Sequence, residues 1–456
     1  MPEPIFSVSG LRGIVGKNLS PEIIRQVITV FIGFLGKGRY VIGRDTRPSG
    51  REMDFIVSST LQELGCEVIE LGICPTPTVV HFVRNEGGVR GGVVITASHN
   101  PLAWNGLKLV HPEGRFLFAE EVAQLQKELR GFKPGVSVVH NQKGGIGCFI
   151  ENEAVARHIT AIRKNGLFAG VNCSGLRVGV DAVNGAMSQA GCELVRAFGA
   201  EPVPIFCEPE PLQTEFPRGP EPTPSNLTQL SQLVRQEKLD LGFAFDPDGD
   251  RFSCVDEQGK ALGEEATICL AGLYILPRLR GDVVVNLSTS RAIEDIAARF
   301  GVRVHRTKVG EANVVRKLLE TGAALGGEGN GGVILPAINL TRDGLVAAAT
   351  VLGLLSAGKR SLAELRQELP DYYLIKEVVP VPGFDINRLV EQAGVIFSGE
   401  VEIDQSDGVR FSGEGWWVHI RQSNTEPVIR LVAESSSRQA AEEIVSKVRA
   451  IIKGVN

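Results

Sequence analysis

Three stretches of this chain carry side chains whose types and spacing could do chemistry. The most acidic is Asp246-Pro-Asp-Gly-Asp-Arg251, in which Asp246, Asp248 and Asp250 alternate. In an extended stretch alternate side chains share a side, so the three carboxylates are expected to converge. Like charges held together are costly unless a cation neutralises them, and oxygen-only donors suit a hard divalent ion such as Mg²⁺. A solvated acidic turn is the plain alternative, but the apolar run Phe243-Ala-Phe245 leads straight into the loop. An EF-hand is excluded. Glu257 falls at its twelfth position, yet the sixth must be glycine and is Arg251.

The second stretch is Thr96-Ala-Ser-His-Asn-Pro101. It follows Gly91-Gly-Val-Val-Ile95, which reads as a buried strand, so the Ser98 hydroxyl lies where a strand ends and the chain turns. Asn100-Pro101 and Asn105-Gly106 are expected to be turns. A serine beside an imidazole, His99, on a tight turn is a candidate for covalent chemistry. By itself the hexapeptide reads first as a turn in which Ser98 and Asn100 bond their own backbone. Lys108 follows closely. A lysine near other cations has a lowered pKa and serves as an acid or base, and an exposed structural lysine is the alternative. The third stretch, Arg421-Gln-Ser-Asn-Thr425 with Arg430 beyond, offers guanidinium, hydroxyl and amide groups that suit a phosphate dianion, or else forms an ordinary hairpin.

The elements that must position these groups repeat along the chain. Tyr40–Asp45, Arg177–Asp181 and Asp282–Asn286 read as strands. Each is followed by a helix ending near Leu64, Phe198 or Phe300, a glycine, and a second strand. A further strand then leads into Ala97-Ser-His-Asn100, into the aspartate loop, or into Gly327-Glu-Gly-Asn-Gly-Gly332. Strand–helix–strand units imply a largely parallel sheet with loops at the carboxyl ends of its strands, and three equivalent loops could face one cleft. An earlier helix opens at Ser20-Pro21. From about residue 368 the pattern becomes antiparallel strands and a closing helix from about Arg438, a small α+β domain. The expected domains are 1–152, 153–255, 256–367 and 368–456.

Composition agrees with a soluble protein: 43% hydrophobic and 22% charged among 456 residues. A net charge of −5 gives no electrostatic footprint for nucleic acid or an anionic membrane. The eight cysteines are scattered without a C-x-x-C pair, so neither a zinc site nor a disulfide framework is expected. No signal peptide and no apolar run of membrane-spanning length is expected, and a cytoplasmic location fits.

Together the motifs resemble those of the α-D-phosphohexomutase superfamily (phosphoglucomutases, phosphomannomutases and phosphoglucosamine mutases) across the whole chain. They occur in the family's order: T-A-S-H-N-P at 96–101, D-x-D-G-D-R at 246–251, G-E-x-x-G at 327–331 and R-x-S-x-T-E-P at 421–427. The resemblance implies a class α/β fold: three related α/β domains with mixed, largely parallel sheets, and a C-terminal α+β domain of TATA-box-binding-protein-like shape. One motif per domain would line a central cleft. It implies interconversion of hexose 6-phosphate and 1-phosphate through phosphorylated Ser98 and a 1,6-bisphosphate, with one Mg²⁺ on Ser98, Asp246, Asp248 and Asp250. Lys108 would be the general acid/base, with Arg12, His99 and Arg251 around the reacting phosphate. Glu328 would bind sugar hydroxyls. Arg421, Ser423, Asn424, Thr425 and Arg430 would clamp the other phosphate. Asn330 and the loop Lys308-Val-Gly-Glu311 stand where the family contacts sugar. Asn330 and Gly332 replace a serine and a histidine common in bacterial relatives. A carboxylate at Glu311 could favour an ammonium, which leans the reading toward glucosamine phosphate. Neutral hexose phosphates, or a metal-dependent sugar phosphatase, are the alternatives. The partner expected is a small hexose phosphate, and the chain a monomer or homodimer.

Overall fold

Three helices end where glycine permits a left-handed turn. Gly65, Gly199 and Gly301 follow the helices Gly50–Glu63, Met187–Ala197 and Ala292–Arg299, at φ of +83°, +84° and +65°. The chain then returns as the strands Glu67–Ile73, Glu201–Ile205 and Val304–Thr307, each parallel to the strand before its helix. A third strand (Val89–Ile95, Leu241–Phe245 or Leu325–Glu328) pairs parallel on the other side of the first. A fourth (Trp104–His111, Phe252–Asp256 or Gly332–Ile334) closes antiparallel against the third. The same order, second–first–third–fourth, therefore recurs in three sheets. Between third and fourth strands lie the serine loop, the aspartate loop and the Gly-Glu loop. The third strands Leu241–Phe245 and Leu325–Glu328 are buried throughout, as central strands covered on both faces are.

The computed structural model describes residues 4–132, 147–209, 214–358, 360–380, 391–393, 397, 401–422 and 428–455. In the first unit, Ile5–Ser7 and Gly10–Ile14 extend the sheet beyond Trp104–His111, and Cys148–Ile150 pairs parallel to Glu67–Ile73. The helix Pro21–Leu35 opens as expected, with Ser20 Oγ accepting from the Ile23 N–H. The second and third units share one continuous core, which runs from Ile159 and Phe168 to Leu362 and Leu365. The last sheet is antiparallel, in the order Tyr373–Pro380, Val428–Ser435, Trp416–Gln422, Val409–Gly413, Glu402–Asp404. The helix Arg438–Val455 covers it through Val445, Val448 and Ile452. These four units are the fold class expected.

One expected turn is absent. Asn105-Gly106 lies inside the strand Trp104–His111, and the chain reverses at 101–103, where the Trp104 N–H donates to Pro101 O at 2.9 Å. Gly106 is there for proximity: a Cβ would stand 2.1 Å from Leu11 O on the neighbouring strand. The eight cysteines form no disulfide. No helix among the described residues is long and apolar enough to cross a membrane.

Candidate active site

The loops after the third strands of the first two units meet at one place. Ser98 Oγ donates to Asp246 Oδ2 at 3.1 Å, and Lys108 Nζ donates to Asp248 Oδ2 at 2.7 Å and to Asp250 Oδ2 at 2.8 Å. Ser98 and the three aspartates are all buried. The aspartates converge, but not by strand alternation. Their loop is a tight turn, with the Gly249 N–H on Asp246 O at 3.1 Å and Gly249 at φ +72°. A Cβ at 249 would also press Met187 and Pro75. Thr76, at the start of the helix Thr76–Asn85, holds the turn from the first unit. Its N–H donates to Asp248 O at 2.8 Å and its hydroxyl to Asp248 Oδ2 at 2.6 Å.

The hydrogen bonds divide the carboxylate oxygens. The Oδ2 atoms of Asp248 and Asp250 are engaged, whereas both Oδ1 atoms are buried without a hydrogen-bond partner among the described residues, with only the Arg251 guanidinium 3.9 Å from Asp250 Oδ1. One oxygen from each aspartate lies within 4.8 Å of the others. Such orphaned oxygens call for a cation, and the donor set fits a hard divalent ion. Burial, and then the repulsion of Asp250 and Asp248, holds the Asp246 carboxyl well above its ordinary pKa, a cost that a cation would remove. Burial alone would lower the Lys108 pKa, but Asp248 and Asp250 outweigh it and the net shift is upward. The expectation of a lysine made acidic by neighbouring cations is thus corrected: its nearest neighbours are anions.

Ser98 has φ +50°, a left-handed conformation unusual for a residue with a side chain. Its N–H donates to Thr96 Oγ1 at 2.9 Å, and Thr96 Oγ1 donates to Asp45 Oδ2 at 2.6 Å. Buried Arg47 pairs with Asp45 at 3.0 Å and donates to the carbonyls of Ser98, Asn100, Pro101 and Trp104. Arg12 donates to Asn100 Oδ1 at 3.1 Å. Arg251 bonds His99 Nδ1 at 2.9 Å. Because a guanidinium only donates, Nδ1 accepts and the ring proton sits on Nε2. Burial, then Arg251 and Arg12, pushes the His99 pKa down to about 2, so the ring is neutral.

Beside these groups lies a cavity of about 240 Å³, a little under the usual size of ligand pockets. Arg12, His99, Lys108 and Arg251 line one side. Glu328, Asn330 and Arg342 come from the third unit and Arg430 from the last. A roomier cleft of about 500 Å³ beside Arg291, Arg410 and Trp416 holds none of the serine, aspartate or Gly-Glu loops, so the chemistry belongs to the smaller one. Glu328 Oε1 accepts from Asn286 Nδ2 at 2.8 Å and from the Gly310 N–H at 3.1 Å. Asn330 Nδ2 reaches Glu328 Oε2 at 3.4 Å. Lys308 is exposed, and its neighbours Val309 and Gly310 line the cavity instead. Glu311 lines the cavity but is spoken for: it accepts from the Thr341 hydroxyl, from the Arg342 N–H at 2.9 Å and from Arg342 Nε at 3.2 Å. The expectation that Glu311 offers a free carboxylate to an ammonium is corrected accordingly.

Arg421 and Arg430 stand directly opposite each other on antiparallel strands. Opposed like charges repel, so the pair is a ready seat for a dianion. Ser423, Asn424 and Thr425 lie outside the described residues. The last unit reaches the Gly-Glu loop through Lys376 Nζ on Gly329 O at 3.0 Å, and reaches the loop before Glu311 through Asp407 Oδ2, which accepts from the Val309 N–H at 2.9 Å. Sequence reading missed Arg47, Thr76 and Arg342. Arg47 had a signal, since it follows the carboxyl end of the strand Arg39–Arg44. Nothing local marks Thr76 or Arg342.

Three repeated α/β units, a fourth antiparallel one, and a buried serine among three aspartates define a phosphohexomutase, an enzyme of the isomerase class. The chain belongs to the phosphoglucomutase/phosphomannomutase family: models of its α/β/α domains I, II and III match residues 3–132, 156–259 and 264–373, and that of its C-terminal domain matches 374–451. It is 34% identical over 445 residues to a probable phosphoglucosamine mutase of Methanopyrus kandleri, covering 96% of this chain and 95% of that one. A phosphoglucomutase/phosphomannomutase of Thermococcus kodakarensis is 34% identical, with 96% of each covered. A crystal structure of a phosphoglucomutase/phosphomannomutase family protein from Burkholderia thailandensis superimposes with a TM-score of 0.83 at 26% identity, covering 99% of this chain and 98% of that one.

Proposed function

We propose that the chain interconverts glucosamine 6-phosphate and glucosamine 1-phosphate through phosphorylated Ser98 and a 1,6-bisphosphate. The observation that carries the phosphoryl-transfer reading is the placement of Ser98 Oγ 3.1 Å from Asp246, beside a cavity whose wall includes Arg430 opposite Arg421. In the forward step the bond from Ser98 Oγ to phosphorus breaks, and one from a sugar hydroxyl oxygen to the same phosphorus forms. The bisphosphate turns end for end and returns its other phosphoryl group to Ser98. Such a transfer asks for positioning and spread-out positive charge more than for covalent help. Asp246, Asp248 and Asp250 would hold one Mg²⁺, which when bound neutralises them and stabilises charge on the transferring group. Arg12 and Arg251 add positive charge at the same end. His99, kept neutral, donates from Nε2. Lys108, resting as an ammonium, gives its proton to the Ser98 oxygen as the bond to phosphorus breaks and takes up the proton that the sugar hydroxyl loses.

At the other end Arg421 and Arg430, with Ser423, Asn424 and Thr425, hold the phosphate that is not transferring. A clamp that reads only phosphate admits both orientations of the sugar, as a 1-to-6 mutase requires. Glu328 and Asn330 read the sugar, with Lys308 at the rim. The division into domains 1–152, 153–255, 256–367 and 368–456 assigns one motif to each, and the last serves as a lid. A cytoplasmic monomer or homodimer fits this role.

The choice of an amino sugar is supported by the name of the Methanopyrus kandleri relative and by the Glu328 carboxylate on the cavity wall. Neutral hexose phosphates are a second reading, favoured by Arg342, which donates to that carboxylate at 3.1 Å and offsets part of its charge. Comparing kcat/KM for glucosamine, glucose and mannose phosphates decides between them. Net release of inorganic phosphate in place of the isomeric sugar phosphate would point instead to a phosphatase.

A further inference from the structure

The side chain of Arg342 is buried at the sugar end of the cavity and serves three carboxylates. Nη2 donates to Asp250 Oδ2 at 2.7 Å, Nη1 to Glu328 Oε2 at 3.1 Å and Nε to Glu311 Oε2 at 3.2 Å. A guanidinium has five donors in a planar fork, and here three of its nitrogens each serve a different carboxylate. Its route depends on Gly332. A Cβ at 332 would stand 2.2 Å from Arg342 Cδ and 2.7 Å from Arg342 Cγ. Gly332 does not adopt a left-handed φ, so what glycine supplies here is space rather than backbone freedom. Gly332 and Arg342 are a matched pair: the arginine lies where a side chain at 332 would have to go.

We propose that Arg342, seated by Gly332, is a specificity-determining residue that sets the preference between amino and neutral hexose phosphates. This rests on the mutase reading and deepens it. Glu311 and Glu328 both line the cavity. With Arg342 in place, one positive charge stands against these two carboxylates and is shared with Asp250. Stripped of it, they present two uncompensated carboxylates in a poorly solvated wall, which attract an ammonium and leave a hydroxyl nearly indifferent. Arg342 thus restrains selectivity for amino sugars and keeps neutral hexose phosphates within reach.

The test is the ratio of kcat/KM for glucosamine 6-phosphate to that for glucose 6-phosphate, measured with full-length enzyme. Arg342→Gln should raise the ratio roughly tenfold over wild type. Arg342→Lys keeps the charge and should hold the ratio within about threefold. Gly332→Ala leaves the guanidinium in the protein but pushes it aside, and should move the ratio in the same direction as Arg342→Gln. A ratio cancels losses common to both sugars, including any from disturbing Asp250. An unmoved ratio in both Arg342→Gln and Gly332→Ala overturns the role of Arg342, and if Arg342→Gln fails to fold, Gly332→Ala decides alone. Wild-type enzyme that isomerises neither phosphate refutes the mutase reading itself, whereas good turnover with an unmoved ratio refutes only this inference.

Discussion

Arg47 Nη2 donates to the main-chain oxygen of Ser98 at 2.5 Å, across 51 residues of sequence. The same side chain reaches Asn100 O at 2.7 Å, Pro101 O at 2.7 Å and Trp104 O at 2.8 Å. A loop whose serine is left-handed is therefore held from behind by one buried cation. Arg47→Met strands Asp45 and frees four carbonyls, and should cost about 3 kcal/mol or more of stability. It should also lower kcat by about a hundredfold, because the loop no longer fixes Ser98. Thermal unfolding and steady-state kinetics check both. A variant with wild-type kcat would show that Ser98 needs no such support.

Removing the Ser98 side chain separates chemistry from folding. Glycine accepts φ +50° without strain, so Ser98→Gly should abolish turnover while leaving stability unchanged or raised by up to about 1 kcal/mol. Intact-mass measurement should find one phosphate on active wild-type enzyme and none on the variant.

The Oδ1 atoms of Asp248 and Asp250 lack hydrogen bonds, so cation binding there should read out as stability. Titrating metal-stripped protein with Mg²⁺ should raise its stability by about 2.7 kcal/mol at a hundred times Kd. In Asp250→Asn the rise should be largely lost. Mg²⁺ that leaves the wild-type unfolding midpoint unchanged would remove the cation from the proposed mechanism.

Arg421 and Arg430 oppose each other in the last sheet, so their like charges strain the protein slightly. Arg430→Gln should relieve that repulsion, leaving stability equal or higher by up to about 0.5 kcal/mol. It should nevertheless raise KM for sugar phosphates by about tenfold, since a charge-assisted bond to phosphate is lost. A variant with unaltered KM would take Arg430 out of the clamp.

His81 links stability to pH. Burial, and then His158 stacked at 4.4 Å between ring centres, pushes its pKa down to about 3. In the unfolded chain a histidine titrates near 6.5. Between the two values the unfolded state holds a proton that the folded state lacks. Stability therefore falls as pH drops below 6.5, by about 1.4 kcal/mol per unit for this group. Urea unfolding of His81→Asn at pH 7, 6 and 5 should show a shallower loss than wild type. Parallel slopes would mean that His81 is not the group responsible.

Much of the architecture was legible because its causes are local. Alternating apolar runs, Ser20-Pro21, and Gly65, Gly199 and Gly301 speak for their own strands and helices, and the repeat is their sum. Local punctuation misleads where a distant strand intervenes: Asn105-Gly106 has the chemistry of a turn, but Leu11 needs the space over Gly106 and the pair is extended. Alternating aspartates likewise converge by a turn that Thr76, 172 residues away from Asp248, helps to hold.

By itself the sequence determined the class of fold and the side-chain types at the serine, aspartate and Gly-Glu loops, since propensity, capping and side-chain type act within a few residues. Only the tertiary structure decided the electrostatics. It placed Lys108 between Asp248 and Asp250, 140 and 142 residues away, which turned its expected shift upward. It gave Glu311 to Arg342, 31 residues on, and so closed the carboxylate that had suggested an amino sugar. Charges act through space over a few ångströms, and which charges lie that close is set by the packing of whole units rather than by neighbours in the chain.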